Sequence, residues 1–566
     1  LLKVLRINAK TRKIDVEQYK DEYRLLGGRS LISQVMSDEV NPTCDPLGAE
    51  NKLIFCTSLF AGTPLSAAHR LSVGGKSPLT GGIKEANSGG TTATAMARHG
   101  IKMIIVEDLP ESEEWSLLKI SADGTPELLP ADEYVGLNTY DMVDKMKERF
   151  GDSVAVTAIG KAGERGYRNS SLQSIDHATG KPSRAAARGG MGAVMGAKKI
   201  KAVVIEKSNE RYAFPYADKE KFSAASKKFA EILRNNEGMK WLHEVGTPAI
   251  TEITSGMSVI PYRNFSGETN KKASAIGPGA YMEKIHSRGG KTGETCQVGC
   301  VIQCSGCYND ANGEYLTSGF EYETVALCGS NLDIDDLDVI ARMDRLCDDI
   351  GLDTMETGGT LGVCMEAGKI AWGDGEAAIT LLEEMDEGTE FGRLLGQGTY
   401  EAGKALGVKR IPTVKRQSLS AYDPRNLKGT GVTYATSAMG ADHTSGLTLE
   451  APIDPLAVEG QADTSKFLQP MMAIADSMMC IFNWFSAGSP ETIPGLMEGA
   501  YGGEWDFDKV LGLGREAILR ERAFNEAAGF TSKDDRLPEF FLNEKSPASG
   551  QVFDVKDEEL DNVFKY

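Results

Sequence analysis

A chain of 566 residues, 41% hydrophobic and 25% charged, exceeds what one hydrophobic core holds and sets an expectation of two to four domains. It has no apolar run long enough to cross a membrane, and a formal net charge of −19 argues against nucleic acid as the partner, since phosphate backbones need a positive surface. Ten scattered cysteines and a basic, alternating opening "LLKVLRINAK" without a signal-peptide pattern point to a reducing, cytoplasmic setting; the missing initial Met suggests that a few residues precede Leu1.

In chain order, Val4, Leu5 and Ile7, then a polar turn, then Ile14 and Val16 predict a hairpin, with a helix near 29–37. "KLIFCTSLF" (52–60) and "IKMIIVED" (101–108) read as buried strands around a Gly/Ser/Thr/Pro-rich region at 61–91. "SVAVTAIG" (153–160) and "IKAVVIEK" (200–207) are further strands, the last closing a first α/β domain near residue 208. From "DKEKFSAASKKFAEILRN" (218–235) the period becomes helical. In "LDIDDLDVIARMDRLCDDIG" (332–351), Ile334, Leu337, Ile340, Met343 and Leu346 recur at helical spacing between acids. "KRIPTVKRQSLSAYDPRNLKGTG" (409–431) breaks the pattern with Pro and Gly. Helices resume at 465–482 and 508–527, and the acidic tail reads as a surface extension. The fold class is α+β: a mixed α/β domain (1–208), then two mainly helical domains (209–412 and 413–566). No repeat of 20–50 residues and no low-complexity tract is found.

The segment "ETCQVGCVIQCSGCYND" (294–310) holds Cys296, Cys300, Cys304 and Cys307. Four thiolates suit a cramped zinc site, which would make the chain a zinc-stabilised scaffold. Cys300, Cys304 and Cys307 have the C-x3-C-x2-C spacing of radical S-adenosylmethionine enzymes. A four-iron cluster with three local ligands and one remote ligand, such as Cys480, is the third reading. The remaining Cys328, Cys347 and Cys364 read as buried small hydrophobes. Spacing alone leaves the three readings open.

Several stretches, taken in order, resemble the tungsten-containing aldehyde ferredoxin oxidoreductase family over roughly residues 1–530. They are "AAHRLSVGGKSPLTGGIKEANSGG" (67–90), "RAAARGGMGAVMGAKKIKAVV" (184–204), "EVGTPAITEITSGMSVIPYRNF" (244–265) and the cysteine segment. "GFEYETVALCGSNLDIDDLDVIARMDRLCDDIGLDT" (319–354), "METGG", "AYDPRNLKGTGVTYATSAMGADHTSG" (421–446) and "ADSMMCIF" (475–482) complete the set. The resemblance implies tungsten, or molybdenum, held by two pterin cofactors whose phosphates are bridged by Mg2+, beside one 4Fe-4S cluster.

It also implies roles for particular residues. Arg70 lies between a pterin and the cluster, and Asn87 is near the magnesium and phosphates. The backbone at Ser88, Gly89 and Gly90 receives phosphate oxygens, and Lys76 shares that stretch. Arg184, Arg188, Gly189, Gly190 and Gly192 approach the second cofactor. Asp348, Gly351, Leu352 and Asp353 match the family's D-x-x-G-L-D pterin motif, with Gly351 as a left-handed helix cap. The matching D-x-x-G-L-C motif appears as "DSMMC", with Asp476 one residue closer to Cys480. Aligning Cys300 and Cys304 leaves Gln297 at the usual first ligand position, so Cys296 takes that role and Cys307 is surplus, with a set that uses Cys307 as the alternative, and Cys480 completes the cluster. The letters of an E-x-x-H iron-sharing motif occur at Glu283 and His286, but before the cysteines, so that role is not carried over. His69, beside Arg70, receives no catalytic role.

For catalysis, the resemblance makes Glu323 of "EYET" the general base, its pKa raised by burial, with His443 or the Tyr322 hydroxyl hydrogen-bonding the carbonyl oxygen. The implied activity is oxidation of aldehydes to carboxylic acids with water, electrons leaving through the cluster to ferredoxin or an Fe-S partner subunit. A homodimer or hetero-oligomer is compatible with this. The alternatives are the catalytic subunit of a tungsten-dependent aromatic-thioester reductase of the benzoyl-CoA type, and a radical S-adenosylmethionine enzyme.

Overall fold

The alternating opening segment forms the expected hairpin in the computed structural model, which describes residues 2–268, 272–484 and 488–566. β1 (Lys3–Asn8) pairs antiparallel with β2 (Ile14–Gln18) and buries Leu5 and Ile7. β3 (Leu53–Thr57), β4 (Leu71–Lys76), β5 (Ile83–Ser88) and β6 (Ile101–Glu107) complete a six-stranded sheet in the order β2-β1-β6-β3-β4-β5. A second sheet holds β7 (Ser116–Ile120), β8 (Pro126–Pro130), β9 (Ala155–Ala158), β10 (Leu172–Ser174), β11 (Arg184–Ala186) and β12 (Ile200–Ile205). Its order is β8-β7-β12-β9-β10-β11.

The two orders are the same. In each sheet the first and last strands of the unit run parallel, and every other pairing is antiparallel. The chain thus folds one topology twice, over Lys3–Glu107 and Ser116–Ile205. The unit is longer than 20–50 residues, and few identities mark it. One is Asp-Glu-Tyr in the turns Asp21–Tyr23 and Asp132–Tyr134. The other is Gly-Gly just before the helices Thr92–Arg98 and Met191–Ala197. One buried cluster joins the sheets: Leu5, Phe55 and Ile104 from the first meet Leu118, Val156 and Val203 from the second. Truncating one such residue, as in Ile104→Ala, costs about 2–5 kcal/mol. The outermost strands β5 and β11 lie side by side, so two sheet edges converge where Asn87, Ser88 and Arg184 stand.

Helices cover this junction. The helix Leu337–Ile350 starts at Asp336, whose carboxylate accepts from the Asp338 N–H, and ends at Gly351 with φ +83°. That left-handed cap was expected from "DDIGLD". A Cβ at Gly351 would also lie 3.0 Å from the Gly160 nitrogen, and the Ser171 N–H donates to the Gly351 carbonyl at 2.8 Å. The helix end is therefore docked on the first domain. Asp353 then caps the helix Thr354–Glu366 by accepting from the Met355 N–H at 3.0 Å. Farther on, the helix Gln461–Met478 is stitched to the first sheet: the Leu59 N–H donates to the Ser477 carbonyl and the Cys480 N–H to Ala67. The buried bidentate pair Arg29–Glu521 ties in the helix Phe507–Ala527.

The cysteine segment is flanked by strands: β13 (Lys291–Glu294), β14 (Ser305–Asn309) and β15 (Tyr315–Ser318) form a three-stranded sheet. One expectation needs correction: the tail is not a surface extension. Phe540, Phe541, Phe553, Val555, Leu560 and Val563 are buried in one cluster with Tyr422, Val432 and Tyr434. The Phe553 ring lies 2.5 Å from where a Cβ on Gly431 would stand. Its acids face outward, apart from Asp535, which pairs with Lys415 and Arg522, while its apolar residues pack beneath the segment that carries the His443 loop.

Candidate active site

A cavity of about 310 Å³ opens where β5, β11 and the helices meet. One end is lined by Cys296, Cys304 and Cys480 with Arg70, Asn87, Ser88 and Gly89. Cys300 adjoins them, with Cys296 and Cys480 as its electrostatic neighbours. All are free thiols. The loop Cys296–Cys304 is held against the first domain by the Gly90 N–H donating to the Cys296 carbonyl and the Val301 N–H to Ser66 Oγ. A Cβ on Gly89 would meet Cys296 Sγ at 3.0 Å and Arg70 Nη1 at 3.3 Å, so only glycine admits this approach. Burial, then the neighbouring Cys296, pushes Cys300 to about 12; burial also raises Cys304 and Cys480. Such thiols ionise when a cationic cluster binds them. Cys307 lies apart in β14, its thiol 3.5 Å from Asn309 Oδ1, and its charged neighbours are Glu294, Lys291 and Asp176. Among the described residues no three His, Cys, Asp or Glu side chains are grouped to hold a single metal ion.

Arg70 donates through Nε to Asn87 Oδ1, and Asn87 Nδ2 donates to Ser72 Oγ at 3.2 Å. The Ser88 hydroxyl is buried without a hydrogen-bond partner. Gly90, at φ +96°, packs on the Ile175 carbonyl and the Ser174 side chain. Arg184 lines the cavity while donating to Asp176, Glu321 and Ser305. Asp348, Leu352 and Asp353 line the wall between them. Asp344, one turn before Asp348, also faces the cavity and accepts from Thr317 Oγ1 at 2.6 Å. Burial pushes Asp344 up to about 7, and burial with Asp344 nearby holds Asp348 well above the carboxylate range. Asp344 was missed, though its i, i+4 spacing to Asp348 on a buried face is a readable signal. A row of hydrogen-bonding carboxyls, an amide and an unpartnered hydroxyl is a donor set that fits pterin edges and phosphates.

Other expected cofactor residues stand elsewhere. Lys76 donates to the carbonyls of Pro42 and Cys44; its ammonium is tethered away from the cavity, which corrects its assignment. Arg188 does not line the cavity. It donates to Asp353 Oδ2 at 3.2 Å, to the Ser418 carbonyl at 2.6 Å and to the Ala441 carbonyl at 2.8 Å, bracing three segments of the wall. Gly189, at φ +89°, leaves room for the Lys84 stem, which a Cβ would meet at 2.4 Å. Lys84 thereby reaches Asp442 Oδ2 at 3.2 Å. Gly190 and Gly192 pack against the backbone of Arg168 and Ser171. Asp476 is buried near Arg29, Arg70 and Glu85, behind the cavity lining; burial and Glu85 raise its pKa.

At the other end Glu323 lies in the first turn of the helix Tyr322–Leu327. Its Oε2 accepts from the Ala421 N–H at 2.8 Å, and its Oε1 stands 3.3 Å from His443 Nδ1. Burial raises the Glu323 pKa, partly offset by His443 and the Ala421 N–H. His443 sits in a turn capped by Asp442, which accepts from the Thr444 N–H; its Nδ1 is 3.0 Å from Ser420 Oγ. Tyr322 is expected to donate to substrate, but its hydroxyl donates to the Ala421 carbonyl at 2.8 Å. A phenol has one proton, so this donor is taken. Tyr422, not foreseen, packs 5.6 Å from His443 and 5.5 Å from Tyr322, and Glu323 adds to the burial that raises its pKa.

Residues 4–207 match the family described as aldehyde ferredoxin oxidoreductase, N-terminal domain, and residues 224–566 match aldehyde ferredoxin oxidoreductase, domains 2 and 3. The chain is 33% identical to the tungsten-containing aldehyde ferredoxin oxidoreductase of Pyrococcus furiosus, over 96% of this chain and 91% of that protein. Identity to the protein of that name in Thermococcus kodakarensis is 31%, over 98% and 94%. A P. furiosus protein named aliphatic sulfonate oxidoreductase, WOR-like subunit, is 26% identical over 79% of this chain and 76% of its own. In fold, the chain matches the active-site complex of benzoyl-coenzyme A reductase with 1,5-dienoyl-CoA, with a TM-score of 0.82, 19% identity, and coverage of 99% and 93%.

Proposed function

The chain belongs to the aldehyde ferredoxin oxidoreductase family, and from that premise we propose that it oxidises uncharged aldehydes to carboxylic acids with water. Cys296, Cys300, Cys304 and Cys480 would hold a 4Fe-4S cluster. Arg70, Asn87, Ser88 and Gly89 would hold one pterin with its phosphates and Mg2+, and Asp348, Leu352 and Asp353 the other. When bound, a tungsten (or molybdenum) bis-pterin would supply two-electron and the cluster one-electron redox chemistry. Ferredoxin or a small Fe-S subunit would take the electrons in the cytoplasm.

The observation that carries this reading is the partly buried Glu323–His443 pair at the cavity wall. Oxidation adds a water oxygen to the carbonyl carbon and releases protons and two electrons. Glu323, held by the Ala421 N–H and raised by burial, takes a proton from the attacking water. Ser420 Oγ accepts from Arg188 and the backbone N–H of His443, and His443 Nδ1 lies 3.0 Å from Ser420 Oγ and 3.3 Å from Glu323 Oε1, so Ser420 and Glu323 together fix the imidazole's orientation. With Nδ1 so engaged, Nε2 is the ring nitrogen left for the carbonyl oxygen as charge develops.

Substrate class follows from charge. Arg70 and Arg184 are the lysines or arginines among the described lining residues, and both already have partners. Near Glu323 the lining is Ile250, Met355, Tyr422 and Leu447. Among the described lining residues no cation is left free for a substrate carboxylate, phosphate or coenzyme A, which favours aldehyde over a benzoyl-CoA-type thioester. The test is acceptor reduction by anaerobically purified protein. Glu323→Gln should lose turnover by about 10²–10⁴-fold with tungsten (or molybdenum) and iron content unchanged; retained aldehyde oxidation would refute its role as base.

A further inference from the structure

On the outside of the cysteine loop lies a depression of about 120 Å³ whose lining includes His69, Thr94, Arg98, Arg211, Val298 and Gly299. Val298 and Gly299 lie between Cys296 and Cys300, and Gly299 is exposed. Here the loop that carries the cluster cysteines reaches the surface. His69 makes the same connection from the other side. Its ring accepts from the Gly62 N–H at 3.2 Å and lies against the Val298 backbone. The next residue, Arg70, has Cys480 and Cys296 as its nearest negative influences. One dipeptide thus links this depression to the thiols lining the cavity.

The charge of the depression opposes that of the whole chain. Arg98 and Arg211 are exposed; the Arg98 carbonyl accepts from the Tyr212 N–H, but neither guanidinium forms an ion pair or hydrogen bond with another described residue. No acidic side chain is among the described residues that line it. Both guanidiniums act on His69, which burial lowers to about 4; the imidazole is neutral at physiological pH, so the positive charge is that of the two arginines. In a chain of net charge −19, an acidic partner is repelled over most of the surface and attracted here, which selects one orientation.

We propose that this depression is the docking site for a small acidic one-electron carrier protein, one of whose carboxylates seats between Arg98 and Arg211. Two carriers would be reduced in turn for each aldehyde oxidised, one electron each. The source of the electrons rests on the function proposed above; docking itself does not, because binding reports it directly. An acidic [4Fe-4S] ferredoxin is the probe, and the Arg98→Glu/Arg211→Glu double variant is compared with the parent at low and high ionic strength. The parent should bind ferredoxin in a salt-dependent way. The double variant should lose about tenfold or more in affinity and in kcat/KM for ferredoxin, and most of the salt dependence. Aldehyde-dependent reduction of an uncharged quinone should stay within about twofold, showing an intact enzyme. Unchanged ferredoxin affinity and salt dependence, or an equal loss with the quinone, would overturn the proposal. If neither acceptor is reduced by the parent, the aldehyde reading fails, and the binding comparison still decides docking.

Discussion

Glu323 has one carboxylate oxygen fixed by the Ala421 N–H and the other directed at His443. Because its pKa is raised, the basic form is lost at a higher pH than for an ordinary glutamate. The acid limb of kcat/KM should therefore sit above the glutamate range, and rates should rise as pH rises through it. Tyr322 should behave differently. Tyr322→Phe removes a hydrogen bond to a backbone carbonyl, not to substrate, so it should cost about 1 kcal/mol of stability and leave the pH profile in place; a loss of turnover as large as that of Glu323→Gln would contradict this. Asp344 offers a test on the metal-free protein. Its folded pKa of about 7 exceeds the unfolded value near 3.9, so its stabilising contribution is present below about pH 4 and lost as pH rises to about 7. In Asp344→Asn the melting temperature should decline less across that window than in the parent. The sequence made Glu323, His443 and Asp348 legible because motifs fix residue types. It did not show where a long side chain ends: Lys76 and Arg188 carry the right charge, but tertiary partners direct their donors elsewhere.

Among elements, the helix Leu337–Ile350 was the most readable, since its apolar period, Asp336 cap and Gly351 stop all agree. The tail was the least. Its apolar residues are spaced too irregularly to show a period, and their packing against Tyr422 and Val432 is long-range. Removing residues 531–566 should expose that cluster, lower the melting temperature and reduce turnover by loosening the His443 segment. Normal stability and activity in the truncated chain would refute this. Gly189 is a second test at this scale. Gly189→Ala adds a Cβ in the left-handed region, at about 1–2 kcal/mol, and displaces Lys84 from Asp442. Turnover should fall while iron content stays. In the cysteine loop, Cys307→Ser should retain iron and Cys480→Ser should lose it, measured as iron per chain.

At the scale of the whole molecule, one topology is used twice, and the edges of the two sheets meet at the cavity. Helical segments distant in sequence complete its walls, so Cys296 and Cys480 reach the same space from opposite parts of the chain. The family was legible because short motifs are spread along the whole length. The duplication was not, because hydrogen-bonding topology persists where side-chain identity does not. The central claim is that this cavity oxidises uncharged aldehydes. Its most direct test is the rate of artificial-acceptor reduction by anaerobically purified protein with benzaldehyde and, separately, with 1,5-dienoyl-CoA, the reduced thioester whose oxidation gives benzoyl-CoA. Benzaldehyde should be turned over to benzoate and the thioester not at all; oxidation of the dienoyl thioester with no aldehyde turnover would show that the cavity serves a thioester instead.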